Sequence, residues 1–386
     1  MQSRGPAANV AAAPLPDDAT APRSPPIYAP HVTLLPILTV AGTPAEIGAA
    51  HGERFAAEVR SYLEARARLA AEGTDLDRSG IVDLARRMLP AHRDYDPDLT
   101  TEMEAMAEAA GITPAEAVIV GGYTDFIDTV RALAHGRAIE DTCTAALTPD
   151  GTSEGAGFLA QAWDMHATAT PHVFMLEVTP NGAPGALVFT THGTLGQIGM
   201  NEAGVAIGIN NLTMADGRLG VTWPFVVRKA LRQTTFEAAL EAILAAPLAG
   251  GHNFLLLDRL GNGVSVEASA TTARMTHLED EPVVHTNHCL APALRAVEDE
   301  RPPMLMEDSR HRLADAAASL GVEGPYTPDR LMALLGDERS ICRHPVAPWN
   351  YETSGAVVMR PGSGDMWACW GLPSEHEFEH FTVGDR

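Results

Sequence analysis

Lysine is almost absent from this chain. Lys229 is the only one, and every other basic side chain is an arginine, so imine chemistry through a lysine amine has a single candidate and a Schiff-base mechanism is disfavoured. Cysteine is scarce too: Cys143, Cys289, Cys342 and Cys369 stand far apart, without C-x-x-C spacing. Neither a zinc ribbon nor a disulfide scaffold is expected, and a reducing, cytoplasmic setting fits. Positive charge is short overall, with 27 basic against 50 acidic residues and a net charge of −23. Such a surface repels phosphate backbones and anionic bilayers, which disfavours nucleic-acid and membrane partners. No run approaches the ~18 consecutive apolar residues of a membrane span. The opening MQSRGPAANVAAAPLPDDATAPRSPP has no continuous apolar segment, because Pro14, Pro16 and Asp17-Asp18 interrupt it. It does not read as a signal peptide, and residues 1–30 read as a disordered Pro/Ala-rich lead.

The remaining chain is long enough for one large αβ domain or two modest ones. Two segments open with the same punctuation, Thr43-Pro44-Ala45-Glu46 and Thr113-Pro114-Ala115-Glu116. Each predicts a helix with a Thr N-cap, Pro at the first position and a capping-box Glu. Behind the first, Ile47, His51, Phe55, Val59 and Leu63 recur at i+4 and form a face that is apolar apart from His51. LTTEMEAMAEAAG places Leu99, Met103 and Met106 on one stripe and stops at Gly111. Residues 43–135 are therefore expected to form a helical layer.

From Cys143 the period changes to that of strands. TCTAAL, GFLAQAWDM, HVFMLEV, ALVFTTHG and VAIGINNL follow one another across Pro/Gly/Asn/Asp turns. A helix opened by Thr234 and Glu237 comes next, then the hairpin NFLLLDRLGNGVSVEAS turning at Gly261-Asn262-Gly263, a polar helix through SRHRLADAAASL, and the closing strands of SGAVVMRPGSGDMWACW. Strand meanders interrupted by blocks of helix predict an α+β fold with two antiparallel sheets and helices outside them.

Several motifs have ordinary explanations. GTSEG (151–155) has the letters of a serine-hydrolase elbow but is followed by a strand, so Ser153 is discarded as a nucleophile. VVHTNHC (283–289) gathers His285, His288 and Cys289 without a second ligand cluster, so no metal site is expected. GTLGQIGMNEAGVAIGINN lacks G-x-G-x-x-G and leads into a strand, which argues against a dinucleotide loop; its Asn201, Asn210 and Asn211 are pocket donors or turn residues. Asn287 at a strand tip is either a turn former or an amide donor to a cavity. Asp164, in the middle of an apolar strand, needs a partner unless it faces water.

Taken in order, GTPAEIGAAHGERF, TCTAAL, QAWD, GTLGQIGMNEAGVAIGINN, HTNH, DSRHR, SICRH and TSGAVVMRPGSGDMWACWGLP resemble the acyl-CoA:isopenicillin N acyltransferase-like family of cysteine N-terminal-nucleophile hydrolases, from about residue 40 to the end. The resemblance implies a four-layer αββα sandwich and a precursor that cleaves itself between Thr142 and Cys143, giving an α part (31–142) and an associated β part (143–386). Cys143 would then be the nucleophile, with its own α-amino group as base, so that no cofactor is needed. Asp164 would hold that ammonium group, and Asn287 would donate to the oxyanion. An arginine near the thiol is also implied, either Arg310 in DSRHR or Arg343 in SICRH. Asn211 and His288 are the implied substrate-binding residues. Two departures from the family pattern stand out: β-branched Thr142 where Gly is frequent, which predicts slow cleavage, and Ala162 in place of the Asn of Q-N-W-D.

The expected activity is hydrolysis of a small acylated amine through an acyl-enzyme on Cys143, with acyl transfer to an amine as the alternative. A reading from another class is an inactive binding or scaffold homologue, against which Cys143, Asp164 and Asn287 count. Self-association into a homo-oligomer stays open.

Overall fold

A computed structural model describes residues 35–134, 142–153, 157–347 and 350–384; the proposed lead over 1–30 lies outside them. An edge strand β1 (Ile37–Gly42) is followed by seven helices: α1 (Pro44–Arg54), α2 (Ala56–Ala71), α3 (Arg78–Arg86), α4 (Leu89–Tyr95), α5 (Pro97–Ala110), α6 (Pro114–Gly121) and α7 (Tyr123–Ala134). The two capping boxes form as their sequences dictate, Thr43 with Glu46 and Thr113 with Glu116. Ile47, His51, Phe55, Val59 and Leu63 are all buried. His51 is tolerated because its Nε2 accepts the Gly193 amide hydrogen at 3.0 Å, and burial pushes its pKa down to about 4, which keeps the ring neutral. α5 ends at Gly111 in the left-handed conformation, φ 73°.

The strands follow as β2 (Thr142–Thr148), β3 (Phe158–His166), β4 (Val173–Pro180), β5 (Ala186–Thr191), β6 (Ile198–Asn201) and β7 (Val205–Leu212). Helices α8 (Trp223–Ala230) and α9 (Phe236–Leu244) precede β8 (Gly251–Asp258), β9 (Gly263–Ala268), β10 (Ala273–His277) and β11 (Val283–His285). Then come α10 (Pro292–Arg295), α11 (Pro303–Leu320), α12 (Pro328–Leu335), β12 (Tyr351–Arg360), β13 (Asp365–Trp370) and β14 (Glu379–Thr382). The N-cap of α9 is Thr235, whose side chain accepts from the Ala238 amide, rather than the expected Thr234.

The strands form two sheets, ordered β1-β4-β5-β6-β7-β8-β9-β10 and β11-β2-β3-β12-β13-β14. All pairs are antiparallel except β1 with β4, a departure from the purely antiparallel expectation. The reason is topological: β1 is separated from its partner by the helical layer and the first hairpin of the other sheet, so no tight turn fixes its direction. β2 and β3 pack face to face on β7 and β8, helices α1, α8 and α9 cover the outer face of the first sheet, and α11 and α12 cover the second. The four-layer αββα order is therefore present. Residues Cys143, Ala145 and Leu147 of β2 and Leu159, Gln161 and Trp163 of β3 pair across and point between the sheets.

Gln161 fastens the sheets together. β6 pairs β7 only at Ala206 and Ile207, so the backbone of Ile209 has no strand on that side. Gln161 takes both groups: its Nε2 donates to Ile209 O at 2.5 Å and its Oε1 accepts from Ile209 N at 2.9 Å. In the helical layer α1 lies against α5 through glycines. A Cβ built on Gly48 would collide with the Glu102 carbonyl oxygen, a backbone atom that cannot swing aside. Gly48→Ala should therefore cost about 1–3 kcal/mol, read as a fall in urea midpoint, while Gly151→Ala, whose Cβ meets nothing within 4 Å, should shift it by less than about 0.5 kcal/mol.

Candidate active site

The head of β2 is a buried, polar point of the second sheet. The register sets Thr142 opposite Asp164 and Cys143 opposite Trp163. Alternation then sends the Cys143 side chain between the sheets and the Thr142 and Asp164 side chains toward the α11–α12 layer. All three residues are fully buried.

Asp164 has the partners its burial demands. Oδ2 accepts the Thr142 hydroxyl at 2.9 Å and Oδ1 accepts the Thr353 hydroxyl at 2.7 Å. Burial raises its pKa above the ordinary carboxylate value, and the charges of Arg312 and Arg343, with the two threonine bonds, only partly offset the rise. The carboxylate is thus bonded to the residue before Cys143. Thr353 also accepts the Arg343 amide hydrogen at 2.9 Å.

Asn287 holds the backbone of Cys143. Its Oδ1 accepts the Cys143 N–H at 2.6 Å, and its Nδ2 donates to the Asn211 carbonyl at 3.2 Å. That leaves one Nδ2 hydrogen uncommitted. The amide is clamped from behind: its own N–H donates to Ser309 Oγ at 3.0 Å, and Arg301 donates to its carbonyl. His288 Nδ1 lies 2.8 Å from the same Ser309 oxygen. Burial pushes His288 down to about 4, so it is neutral and serves this clamp. Asn211 contributes its carbonyl, while its side-chain Oδ1 is buried without a partner.

A third arginine, which the motif letters do not single out, reaches the head of β2. Arg310 is exposed, and its charge reaches the cluster only as one of several that help lower the His288 pKa. Two positions on, Arg312 is 1% exposed. Its Nη1 donates to the Cys143 carbonyl at 2.5 Å and to Thr144 Oγ1 at 3.0 Å, and its Nη2 donates to Asn287 Oδ1 at 3.0 Å. Its Nε donates to Asp308 Oδ2 at 3.0 Å, and Arg343 pairs with the other oxygen of the same carboxylate. The helical stripe Leu305, Ser309, Arg312, Ala316 and Leu320 is the buried face of α11. That periodicity was the available signal, since it selects Arg312 over Arg310. Arg343 acts through Asp308 and Thr353.

The cluster thus gathers a thiol at a strand head, a buried carboxylate, an amide and a guanidinium, the parts needed to hold and polarise a reacting carbonyl. Among the described residues no group of three or more His, Cys, Asp or Glu side chains could hold a metal ion, and no helix is long and apolar enough to cross a membrane.

The comparisons with known proteins agree with an acyl-transfer enzyme. The model of the acyl-coenzyme A:6-aminopenicillanic acid acyl-transferase family matches residues 151–374. The chain belongs to this family, whose reactions are amide hydrolysis or acyl transfer. The match includes Asp164, Asn287, Arg312 and Arg343 and begins after Cys143. The 40 kDa form of the acyl-coenzyme A:6-aminopenicillanic-acid-acyltransferase of Emericella nidulans is 26% identical over 257 residues, 66% of this chain and 69% of that protein. Among solved structures, a Caenorhabditis elegans N-acylethanolamine-hydrolyzing acid amidase ortholog is 16% identical with a TM-score of 0.40, covering 57% of this chain and 93% of its own. A mutant of the conjugated bile acid hydrolase of Clostridium perfringens is 9% identical with a TM-score of 0.44, covering 64% and 93%.

Arg312→Met should cost about 3–5 kcal/mol in urea unfolding, because it leaves buried acceptors without their charged donor, whereas Arg310→Met should stay within about 0.5 kcal/mol. A second expectation concerns pH. Burial pushes Asp308 up, but Arg312 and Arg343 outweigh it and hold the carboxyl below its ordinary value. Its contribution is therefore complete above the unfolded carboxylate range and is lost as pH falls through the folded value. Asp308→Asn should flatten the acid limb of the stability curve below about pH 4.

Proposed function

We propose that this protein is a self-processing cysteine amidase that passes the acyl group of a small amide to Cys143 and then to water. The observation that carries the reading is the hold on Cys143: Asn287 accepts its N–H while Arg312 donates to its carbonyl. Both contacts are to the backbone, so they fix the position of residue 143.

In the first step the thiol attacks the Thr142 carbonyl carbon. The C–N bond to Cys143 breaks, the departing nitrogen takes the thiol proton, and water then hydrolyses the resulting thioester. The products are a carboxylate on Thr142 and a free amine on Cys143. The departure of Thr142 removes its hydroxyl from Asp164 Oδ2, where it donates at 2.9 Å, and frees that oxygen for the new ammonium group.

Catalysis would then follow from a single residue. A thiol near its ordinary pKa of about 8.5 is mostly protonated at neutral pH, while an α-amine near 7.7–8.0 can accept its proton and return it to the leaving amine. Asp164 orients the amine. The uncommitted Nδ2 hydrogen of Asn287 is aimed at the oxyanion of the tetrahedral intermediate, an interaction whose loss typically costs about 2.7–4 kcal/mol of barrier. β-Branched Thr142 limits the backbone twist available to the first step, so processing should be slow.

A second reading is transfer of the acyl group to an amine, favoured by the acyl-transferase description of the matched family. Both readings share the acyl-enzyme and differ only in the acceptor. Turnover of a chromogenic acyl amide with and without an added amine separates them. Free acid in both cases is expected, and a new amide as the main product would establish transfer. Cys143→Ala should abolish cleavage and turnover together, and amidase activity retained in that variant removes Cys143 from the mechanism.

A further inference from the structure

Arg66 on α2 poses a problem of charge. It is 2% exposed, yet no carboxylate among the described residues forms an ion pair with it. Its Nη2 donates to the Tyr62 hydroxyl, its Nη1 lies 3.3 Å from Met165 Sδ, and its Nε has no acceptor. The guanidinium carbon stands 4.5 Å from the ring centroid of Tyr62 and 4.1 Å from that of Tyr123. Two aromatic faces, a hydroxyl and a sulfur recover only part of the hydration that a cation gives up.

The neighbours do not close the account. The Tyr123 hydroxyl is buried as well, and it too has no partner. His172, stacked on Tyr62, is pushed down to about 4 by burial and by Arg66 itself, so it is neutral and brings no negative charge. Glu72, at the end of α2, is exposed. An unmet N–H and an unmet O–H therefore flank a buried positive charge, the donor set that a carboxylate satisfies.

The position of this set is informative. Met165 lies on β3 two residues beyond Trp163, on the same face, and Trp163 is directly opposite Cys143. Diagonal neighbours on an antiparallel pair are about 7–8 Å apart. Arg66 thus reaches the side chain of Met165, the diagonal neighbour of Cys143 on the paired strands. A structural role alone leaves that charge without an ion-pair partner among the described residues.

We propose that Arg66 and Tyr123 form an anion subsite beside Cys143 that receives a carboxylate carried by the amide substrate. The substrate class is then amides that bear a carboxylate, such as N-acylated amino acids. This rests on Cys143 as the nucleophile. Arg66 binds the substrate's far end, and Tyr123 adds the second hydrogen bond.

The test uses processed enzyme and two matched substrate pairs. One pair varies the amine half, an N-acylglycine against its glycinamide. The other varies the acyl half, a glutaryl against a butanoyl amide. Wild type should favour the carboxylate in at least one pair by about 30-fold in kcat/KM, as expected of a buried charge-assisted pair. Arg66→Met should collapse that ratio to within about threefold, and Tyr123→Phe, which removes one hydroxyl and keeps the ring, should lower it about fivefold. A merely structural role would reduce both members of a pair alike and leave the ratio unchanged. No preference in wild type, or a preference that survives Arg66→Met, overturns the proposal. A readout without turnover separates this from the amidase reading: N-acetylglycine, but not N-acetylglycinamide, should raise the Tm of wild type and not of Arg66→Met. If no amide is turned over while that shift persists, the amidase reading fails and the anion subsite stands. If wild type shows no shift with N-acetylglycine and none with a glutaric acid monoamide, the subsite is wrong.

Discussion

One guanidinium organises the head of β2. Arg312 reaches from α11 to the Cys143 carbonyl, the Thr144 hydroxyl and the Asn287 amide oxygen, and it is steadied by Asp308 one helical turn earlier. A lysine could not make this set of contacts, because only the planar fork has donors enough to serve three acceptors and a carboxylate at once. Burying such a charge is costly, and its full complement of partners is what makes the position tenable. The consequence for chemistry is that residue 143 is fixed through its backbone. Its side chain lies on the other face of the strand, between the sheets.

The alternation of β2 and β3 divides the labour. The thiol row faces the space between the sheets, where Trp163 and Met165 lead toward Arg66, while the carboxylate row faces the helical layer with Thr142, Thr353 and the two arginines. In the proposed chemistry the new terminal amine falls at the strand head, where both rows meet. The carboxylate is bonded to the Thr142 and Thr353 hydroxyls, and its pKa is raised because burial outweighs the nearby arginine charges. Among the described residues no cation forms an ion pair with it, and in the proposed chemistry the new amine supplies one.

Much of this was legible in the sequence, and the reasons are local. The capping boxes at Thr43 and Thr113 depend on four consecutive residues, and both form as read. The buried stripe from Ile47 to Leu63 depends on helical period alone. Asp164 announced itself as a carboxylate inside an apolar strand, and the ordered motifs identified the family. What escaped was set by distant contacts. The parallel direction of β1 depends on a strand more than a hundred residues away. Gln161 fills a gap left where β6 ends. The isolation of Arg66 is a property of what surrounds it in space. DSRHR holds two arginines: helical spacing from Leu305 favours Arg312 as the buried one, whereas matching letters drew attention to Arg310.

The account turns on where the mature polypeptide begins. N-terminal sequencing of the purified, catalytically competent protein should return a chain starting Cys143-Thr144-Ala145, alongside a smaller fragment that remains bound through the helical layer. A competent preparation in which no chain starts at Cys143 would contradict the central claim, because the amine that serves as base would not exist.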